Sequence, residues 1–270
     1  MTDEIPLLGG DVTVGVVRVG DTVRRPTSAS TPAIHALLHH LESVGFAGAP
    51  RALGIDERGR EILSFVPGEV PTRPMPAWAA SDRVLAGVGQ LLRAFHDATA
   101  GFVLPPGVTW PVPGSLPPSV PAEPPAELVG HADVTPENVV FRSGEPVALI
   151  DFDLARPLSR CLDVVITARH WVPLVDPADR PAVLTDTDGP ARLAVLCDSY
   201  GLGDDDRRQL VDVAIARSVR SQWLMRERAR AEPGSGWERM WRDGVGDVLS
   251  RAATWLEKGR AELESAIIRG

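Results

Sequence analysis

The sequence predicts an α+β protein of two unequal lobes, a small β-rich N-terminal one and a larger, mainly helical C-terminal one. Three observations lead there. The first seventy residues carry β-patterned runs with a single helical pattern among them. A proline-rich stretch, VPGEVPTRPMP (66–76), then breaks the chain. Beyond Asp153 the patterning is helical almost to the end. With 270 residues, 44% of them apolar, the chain is long enough for two lobes around a shared cleft. The division drawn is 1–68 for the N-terminal lobe and 69–270 for the C-terminal lobe.

Each element has a local cause. VTVGVVRVG (12–20) and DTVRRP (21–26) read as strands joined at Gly20-Asp21, the second ended by Pro26. Thr31-Pro32 opens a helix whose Ile34, Leu37, Leu38, Leu41 and Val44 share one face. RALGIDE and REILSFV form a hairpin turning at Arg58-Gly59. Ser81 caps a helix with Val84, Leu85, Val88, Leu91, Leu92 and Phe95 at a 3.6-residue period. Residues 105–125, crowded with proline, form an extended loop. VVF (139–141) and VALI (147–150) are buried strands joined at Ser143-Gly144-Glu145. Helices come next at about 159–170, 189–200, 205–230 and 237–267.

Composition narrows the functions. A formal charge of −8 argues against a nucleic acid as the main partner. No apolar run is long enough to span a membrane, and MTDEIPLLGG lacks the pattern of a signal peptide. Cys161 and Cys197 have no metal-type spacing, so they read as reduced thiols of a cytoplasmic protein. Lys258 is the only lysine.

The chemistry concentrates in GHADVTPENVVF (130–141) and the ALIDFD after it. Antiparallel pairing of the two strands sets Asn138, before the first, beside Asp151, after the second. Asp133 lies one short loop upstream of Asn138. Aspartate and asparagine also favour turns and caps. As a group, though, these hard oxygen donors suit Mg²⁺ together with substrate phosphates. Asp151 supplies charge, Asn138 a neutral oxygen, and Asp133 a base for an incoming hydroxyl.

His131-Ala132-Asp133, Asn138 and Asp151-Phe152-Asp153, at intervals of five and thirteen residues, resemble the catalytic loop and metal motif of the protein-kinase-like fold. The wording looks most like the aminoglycoside phosphotransferase and choline kinase branch, over roughly residues 9 to 175. Ala132 stands where the branch usually has glycine. Asp163, in LDVVITARHWVPL, matches a family aspartate and reads as a brace for the catalytic loop. The resemblance implies ATP or GTP as phosphate donor and Mg²⁺ held by Asn138 and Asp151. It also implies Asp133 as base and a small-molecule hydroxyl acceptor.

In the N-terminal lobe the resemblance implies phosphate-facing amides at Gly9 and Gly10, where a plain hairpin turn reads equally well, and adenine held by the backbone of Ser64 and Val66. The family's strand lysine is missing. Arg24 is placed in its role, with Arg25 on the opposite face. The helix glutamate that partners the lysine is also missing, and Ile34 or His35 stands there. His39 and His40 read as exposed, and His96 as a packed core histidine. Asp204, Asp205 and Asp206, with Glu123, Glu127 and Glu137, would suit an aminoglycoside, choline or other amine. Such a run at a helix start also complements the helix dipole. Trp223, Trp237, Trp241 and Trp255 are spaced as helix-packing aromatics. Two readings result: an ATP- or GTP-dependent phosphotransferase, or a catalytically weak or inactive kinase-fold binding or immunity protein, motivated by the missing lysine and glutamate. A metal-dependent phosphohydrolase lacks the necessary histidines and carboxylates.

Overall fold

An antiparallel sheet of order β1-β2-β3-β5-β4 opens the chain. In this computed structural model, residues 4–7, 15–111 and 116–268 are described. The sheet consists of β1 (Ile5–Pro6), β2 (Val17–Val19), β3 (Thr22–Pro26), β4 (Ala52–Ile55) and β5 (Arg60–Ser64), with α1 (Thr31–Ser43) between β3 and β4. β1 is an addition to the expected strands. The helix starts one residue before Pro32, at Thr31, whose hydroxyl accepts from Ser28 N at 2.9 Å. Ile34, Leu37, Leu38 and Leu41 are buried as their spacing requires.

Register fixes what the sheet presents. Val23 pairs with Leu63 and Arg25 with Glu61, and both members of the second pair are buried. Side chains alternate across a strand, so Val23, Arg25, Glu61 and Leu63 share the inner face, and Arg24 takes the outer one.

The connector is drawn tightly onto the strand that begins at Val139. Glu69 N donates to Phe141 O at 2.9 Å, and Phe141 N returns a bond to Glu69 O at 2.7 Å. Gly68 makes this possible: a Cβ there would lie 2.4 Å from Val140 Cγ1 and 2.5 Å from Phe141 O.

The helical part begins with α2 (Asp82–Thr99), capped by Ser81, whose hydroxyl accepts from Val84 N at 3.3 Å. Two small two-stranded sheets come after it. β6 (Leu128–Gly130) pairs with β9 (Arg156–Leu158), and β7 (Val139–Arg142) pairs with β8 (Glu145–Leu149). The β6–β9 pair was not expected, because each strand is only three residues and carries no alternation to read. Next come α3 (Arg160–Trp171), α4 (Gly189–Tyr200) and α5 (Asp204–Ala231). The single helix expected over 237–267 is three: α6 (Gly236–Arg242), α7 (Val245–Lys258) and α8 (Arg260–Ile267). The breaks fall at Gly244, in the left-handed conformation at φ 90°, and at Gly259.

One hydrophobic core reaches from Ile34 on α1 to Ile267 on α8. Phe95, Phe152 and Trp171 are its aromatic centre beneath the loop that begins at His131. Burying each ring is worth about 2–3 kcal/mol. Cys161 and Cys197 are free and buried. His39 is exposed as expected, but His40 is half-buried, bonded to Ala98 O at 2.9 Å and packed on Phe102. No helix among the described residues is long and apolar enough to cross a membrane.

Candidate active site

The two short strand pairs deliver their ends to one place. β6 hands the chain to the loop beginning at His131, and β8 hands it to Ile150 and Asp151. Ile150 N donates to Asn138 O at 2.9 Å, so Asn138 lies beside Asp151 as the hairpin demands. Asn138 Nδ2 donates to both Asp133 Oδ2 and Asp133 O at 2.9 Å. The amide nitrogen thus faces Asp133, which leaves the amide oxygen for another partner. Asp133, Asn138 and Asp151, distant in sequence, are brought together.

Their protonation is set by crowding. Burial and the neighbouring Asp151 charge push the Asp133 carboxyl up to about 7, against the hydrogen bond from Asn138 and the charge of Arg217. A carboxyl poised there suits proton transfer near neutral pH.

The loop is held from below by Asp163 on α3. Its carboxylate accepts His131 N at 2.8 Å and Ala132 N at 2.9 Å, and meets His96 Nε2 at 2.9 Å. Tyr200 OH lies 2.7 Å from the other nitrogen of that imidazole. Burial acts to raise the Asp163 carboxyl. The His96 hydrogen bond, the nearby imidazoles and the backbone N–H of His131 outweigh it and hold the group below its ordinary value. His96 is therefore a core residue, as expected, with both ring nitrogens occupied. Gly130 lets the carboxylate come this close, since a Cβ there would meet Asp163 Oδ2 at 2.5 Å. Trp171 Nε1 adds a bond to Val134 O at 2.8 Å. His131 bonds Ile150 O at 3.1 Å, and burial lowers its pKa despite Asp163 and Asp151. It shapes the loop as a neutral ring.

Ala132 and Asp151 flank the site at φ 61° and 62°. Left-handed backbone at an alanine costs about 1–2 kcal/mol. The surrounding hydrogen bonds enforce it, as is common where geometry serves chemistry.

The cation of the site is Arg25, not Arg24. Arg25 Nη1 lies 3.1 Å from Asp151 Oδ1, Nη2 contacts Asp153, and Nε is 3.1 Å from Glu61 Oε1. Burial works against this charge, while Asp151, Asp153 and Glu61 favour it and raise the Arg25 pKa. Arg24 is directed to the other face, bonded to Thr22 Oγ1 at 2.6 Å and 3.8 Å from Asp56. Period-two alternation from Val23 selects Arg25, so the expected residue was one position short. His35, at the helix position where a glutamate was missing, holds the far oxygen of Glu61 at 3.0 Å. Glu61 is a neighbour of the site that motif reasoning does not reach. Its signal is alternation with Leu63 in REILS, which puts a charge on a buried face opposite Arg25.

The remaining nucleotide positions divide. Gly9 and Gly10 lie outside the described residues, between β1 and β2. Ser64 is committed to the sheet: its N–H donates to Arg51 O at 2.9 Å and its hydroxyl accepts Arg51 N at 2.8 Å. Val66 N–H makes no backbone hydrogen bond among the described residues.

The Asp151 carboxylate and the Asn138 amide oxygen form a donor set that fits Mg²⁺. Among the described residues no group of three or more His, Cys, Asp and Glu side chains forms a self-sufficient metal centre. An ion that takes part of its shell from phosphates matches that composition.

The acidic surface expected to suit an amine is largely consumed. Glu123 pairs with Arg156 and Arg220, and Glu137 with Arg73. Asp205 and Asp206 bind Arg208 and Gln209 within the first turns of α5. Trp237 and Trp255 lie under Arg228 and Arg180 of the same chain.

The model of the phosphotransferase enzyme family matches residues 104–196, a span that contains Asp133, Asn138, Asp151 and Asp163. The trifolitoxin immunity protein of Rhizobium leguminosarum bv. trifolii is 34% identical over 280 residues, 99% of this chain and 100% of the relative. A choline/ethanolamine kinase family protein from Mesorhizobium loti superposes with a TM-score of 0.58 at 16% identity, covering 96% of this chain and 91% of its own. The GDP complex of aminoglycoside 2'-phosphotransferase-IIIa gives 0.57 at 15% identity, covering 96% and 92%. At those identities the structural likeness is one of fold.

Proposed function

This chain belongs to the aminoglycoside phosphotransferase and choline kinase-like family of the protein-kinase-like fold, and from that premise we propose that it moves the terminal phosphate of ATP or GTP to a hydroxyl of a small molecule in the cytoplasm. The observation that carries the reading is the meeting of Asp133, Asn138 and Asp151 at the ends of β7 and β8. Asp133 takes the proton of the acceptor hydroxyl, and Asn138 fixes the carboxylate through Nδ2. Asn138 and Asp151 would hold Mg²⁺, which when bound neutralises the donor's phosphate oxygens. Arg25, steadied by Glu61 and His35, supplies the fixed positive charge of the missing lysine. Asp163 keeps the loop in register through His131 N and Ala132 N.

The test is turnover of MgATP or MgGTP against a panel of hydroxyl compounds, followed by phosphorus NMR of the product. Asp133→Asn is expected to lower kcat by about a thousandfold with nucleotide binding retained. Turnover unaffected by that change would overturn the assignment.

A second reading keeps the fold and drops the chemistry: a binding protein conferring immunity. The 34% identity to the trifolitoxin immunity protein favours it. Calorimetry showing no binding of MgATP or MgGTP would decide for this reading.

A further inference from the structure

Asp163, which holds the loop at His131 N and Ala132 N, is itself held from behind. A line of hydrogen bonds runs from it through His96 on α2 to Tyr200, the last residue of α4, and on to Arg160, the first residue of α3. Tyr200 is the only tyrosine of the sequence and is 2% exposed, while His96 and Asp163 are fully buried. Close approach of α2 and α4 brings its ring there, since a Cβ on Gly89 would collide with Ser199 Oγ and lie 3.2 Å from Tyr200 N. Gly201, left-handed at φ 74°, ends α4 directly after it. Arg160 is fixed in turn by Asp97, 3.1 Å from its Nη2, and Arg93 Nε donates to the same carboxylate at 2.8 and 3.0 Å.

The partners fix which atom donates at every link. A guanidinium only donates, and Arg160 Nη1 gives a hydrogen bond to the Tyr200 oxygen at 3.3 Å. The hydroxyl hydrogen then has one acceptor among the described residues, His96 Nδ1 at 2.7 Å. Burial pushes that hydroxyl up to about 12, against Arg160, so the hydrogen stays on it. With Nδ1 accepting, the ring hydrogen sits on Nε2, 2.9 Å from Asp163 Oδ2. Asp163 only accepts, from His96 and His131 N at Oδ2 and from Ala132 N at Oδ1. Reversing one link would orphan a buried hydrogen or lone pair, or set two hydrogens head to head.

We propose that Tyr200 is a positioning residue for the loop that carries Asp133: its hydroxyl, oriented by Arg160, holds the His96 ring in the one orientation and tautomer that keep Asp163 on His131 N and Ala132 N. Tyr200 and Arg160 touch no reactant and act through His96 and Asp163. The ordering of the loop stands on the hydrogen bonds alone; its effect on rate rests on the phosphotransfer reading. Three helices that meet well behind the site thus converge on the position of its base.

The test is amide exchange and imidazole nitrogen NMR on the full chain. The imidazole whose resonances shift in Tyr200→Phe and vanish in His96→Gln should show, in the parent, an accepting Nδ1 and a protonated Nε2. Tyr200→Phe should speed exchange at His131 and Ala132 by about tenfold, while Leu193 and Leu196 on its own helix keep their protection. Arg160→Met should act on the same two amides by about threefold. In the Tyr200→Phe background it should add nothing there, because the line is already cut above it. Against an acceptor that is turned over, Tyr200→Phe should lower kcat by about tenfold and leave the nucleotide KM unchanged. A protonated Nδ1, loosening confined to α4, or full additivity of the two variants at the loop would each overturn the proposal. A loop response with no turnover of any acceptor would fell the phosphotransfer reading and leave Tyr200 in this role; turnover with kcat untouched by Tyr200→Phe would do the reverse.

Discussion

Arg25 Nη1 lies 3.1 Å from Asp151 Oδ1 across 126 residues of sequence. That contact ties the first sheet to the segment that would carry the metal. It is anchored behind by Glu61, which is 2% exposed and faces Arg25 directly in the β3–β5 register. The cation and its partner are therefore built into one strand pair, where the family resemblance leads one to expect a helix glutamate.

Arg25→Ala should leave Glu61 buried without its counter-charge and lower stability by about 3–5 kcal/mol. Replacing both, Arg25→Met with Glu61→Leu, should restore most of that loss and still abolish nucleotide binding. Urea unfolding and calorimetry with MgATP and MgGTP measure the two effects. An unchanged unfolding midpoint in Arg25→Ala would show that the buried pair contributes nothing.

Asp133 makes stability depend on pH. Burial and Asp151 raise its carboxyl to about 7 in the folded chain. Between the ordinary carboxylate value and 7 the folded state holds a proton that the unfolded state has released. The stabilising contribution is thus present in acid and lost as pH rises through about 7. Asp133→Asn should therefore raise Tm over the parent more at about pH 8 than at about pH 5. In the parent, kcat/KM should rise along a limb near 7, which reports the free enzyme. A Tm difference independent of pH would remove this account.

Asp163 and His96 support the loop without touching a reactant. Asp163→Asn and His96→Ala each strand buried polar groups, at a cost of about 3 kcal/mol. The loop should loosen with them, visible as faster amide exchange at His131 and Ala132 while α7 stays protected. Equal loss of protection everywhere would mean that Asp163 stabilises the chain globally and does not brace the loop.

Ala132→Gly should be tolerated despite lying in the loop. Relief of the left-handed backbone, about 1–2 kcal/mol, offsets the entropy that glycine adds to the unfolded chain, about 0.5–1 kcal/mol. Denaturant titration should find stability unchanged or up to about 1 kcal/mol higher. A loss larger than that would indicate that the Ala132 methyl contributes packing the backbone argument omits.

The candidate site was legible where local rules suffice. Asp133, Asn138 and Asp151 come from spacing plus one hairpin, because antiparallel pairing alone brings the strand ends together. Asp163 was readable only through the family resemblance, since nothing local marks a helix aspartate as a brace. Arg25 and Glu61 required the register of two strands, and a one-residue slip in β3 exchanges the buried arginine for its neighbour. The β6–β9 pair has no sequence period to detect. The pairing of Glu123 and Glu137 was not legible either, because their arginine partners come from remote segments.

With Arg25 where the kinase-like fold usually keeps a lysine, and Lys258 the sole lysine in the chain, the strand pair beside Asp151 carries no lysine amine. Acyl-phosphate nucleotide reagents, which tag kinases by acylating that amine, will leave this protein unmarked however well it binds nucleotide. Surveys that count ATP-binding proteins by such tagging will pass over chains built this way.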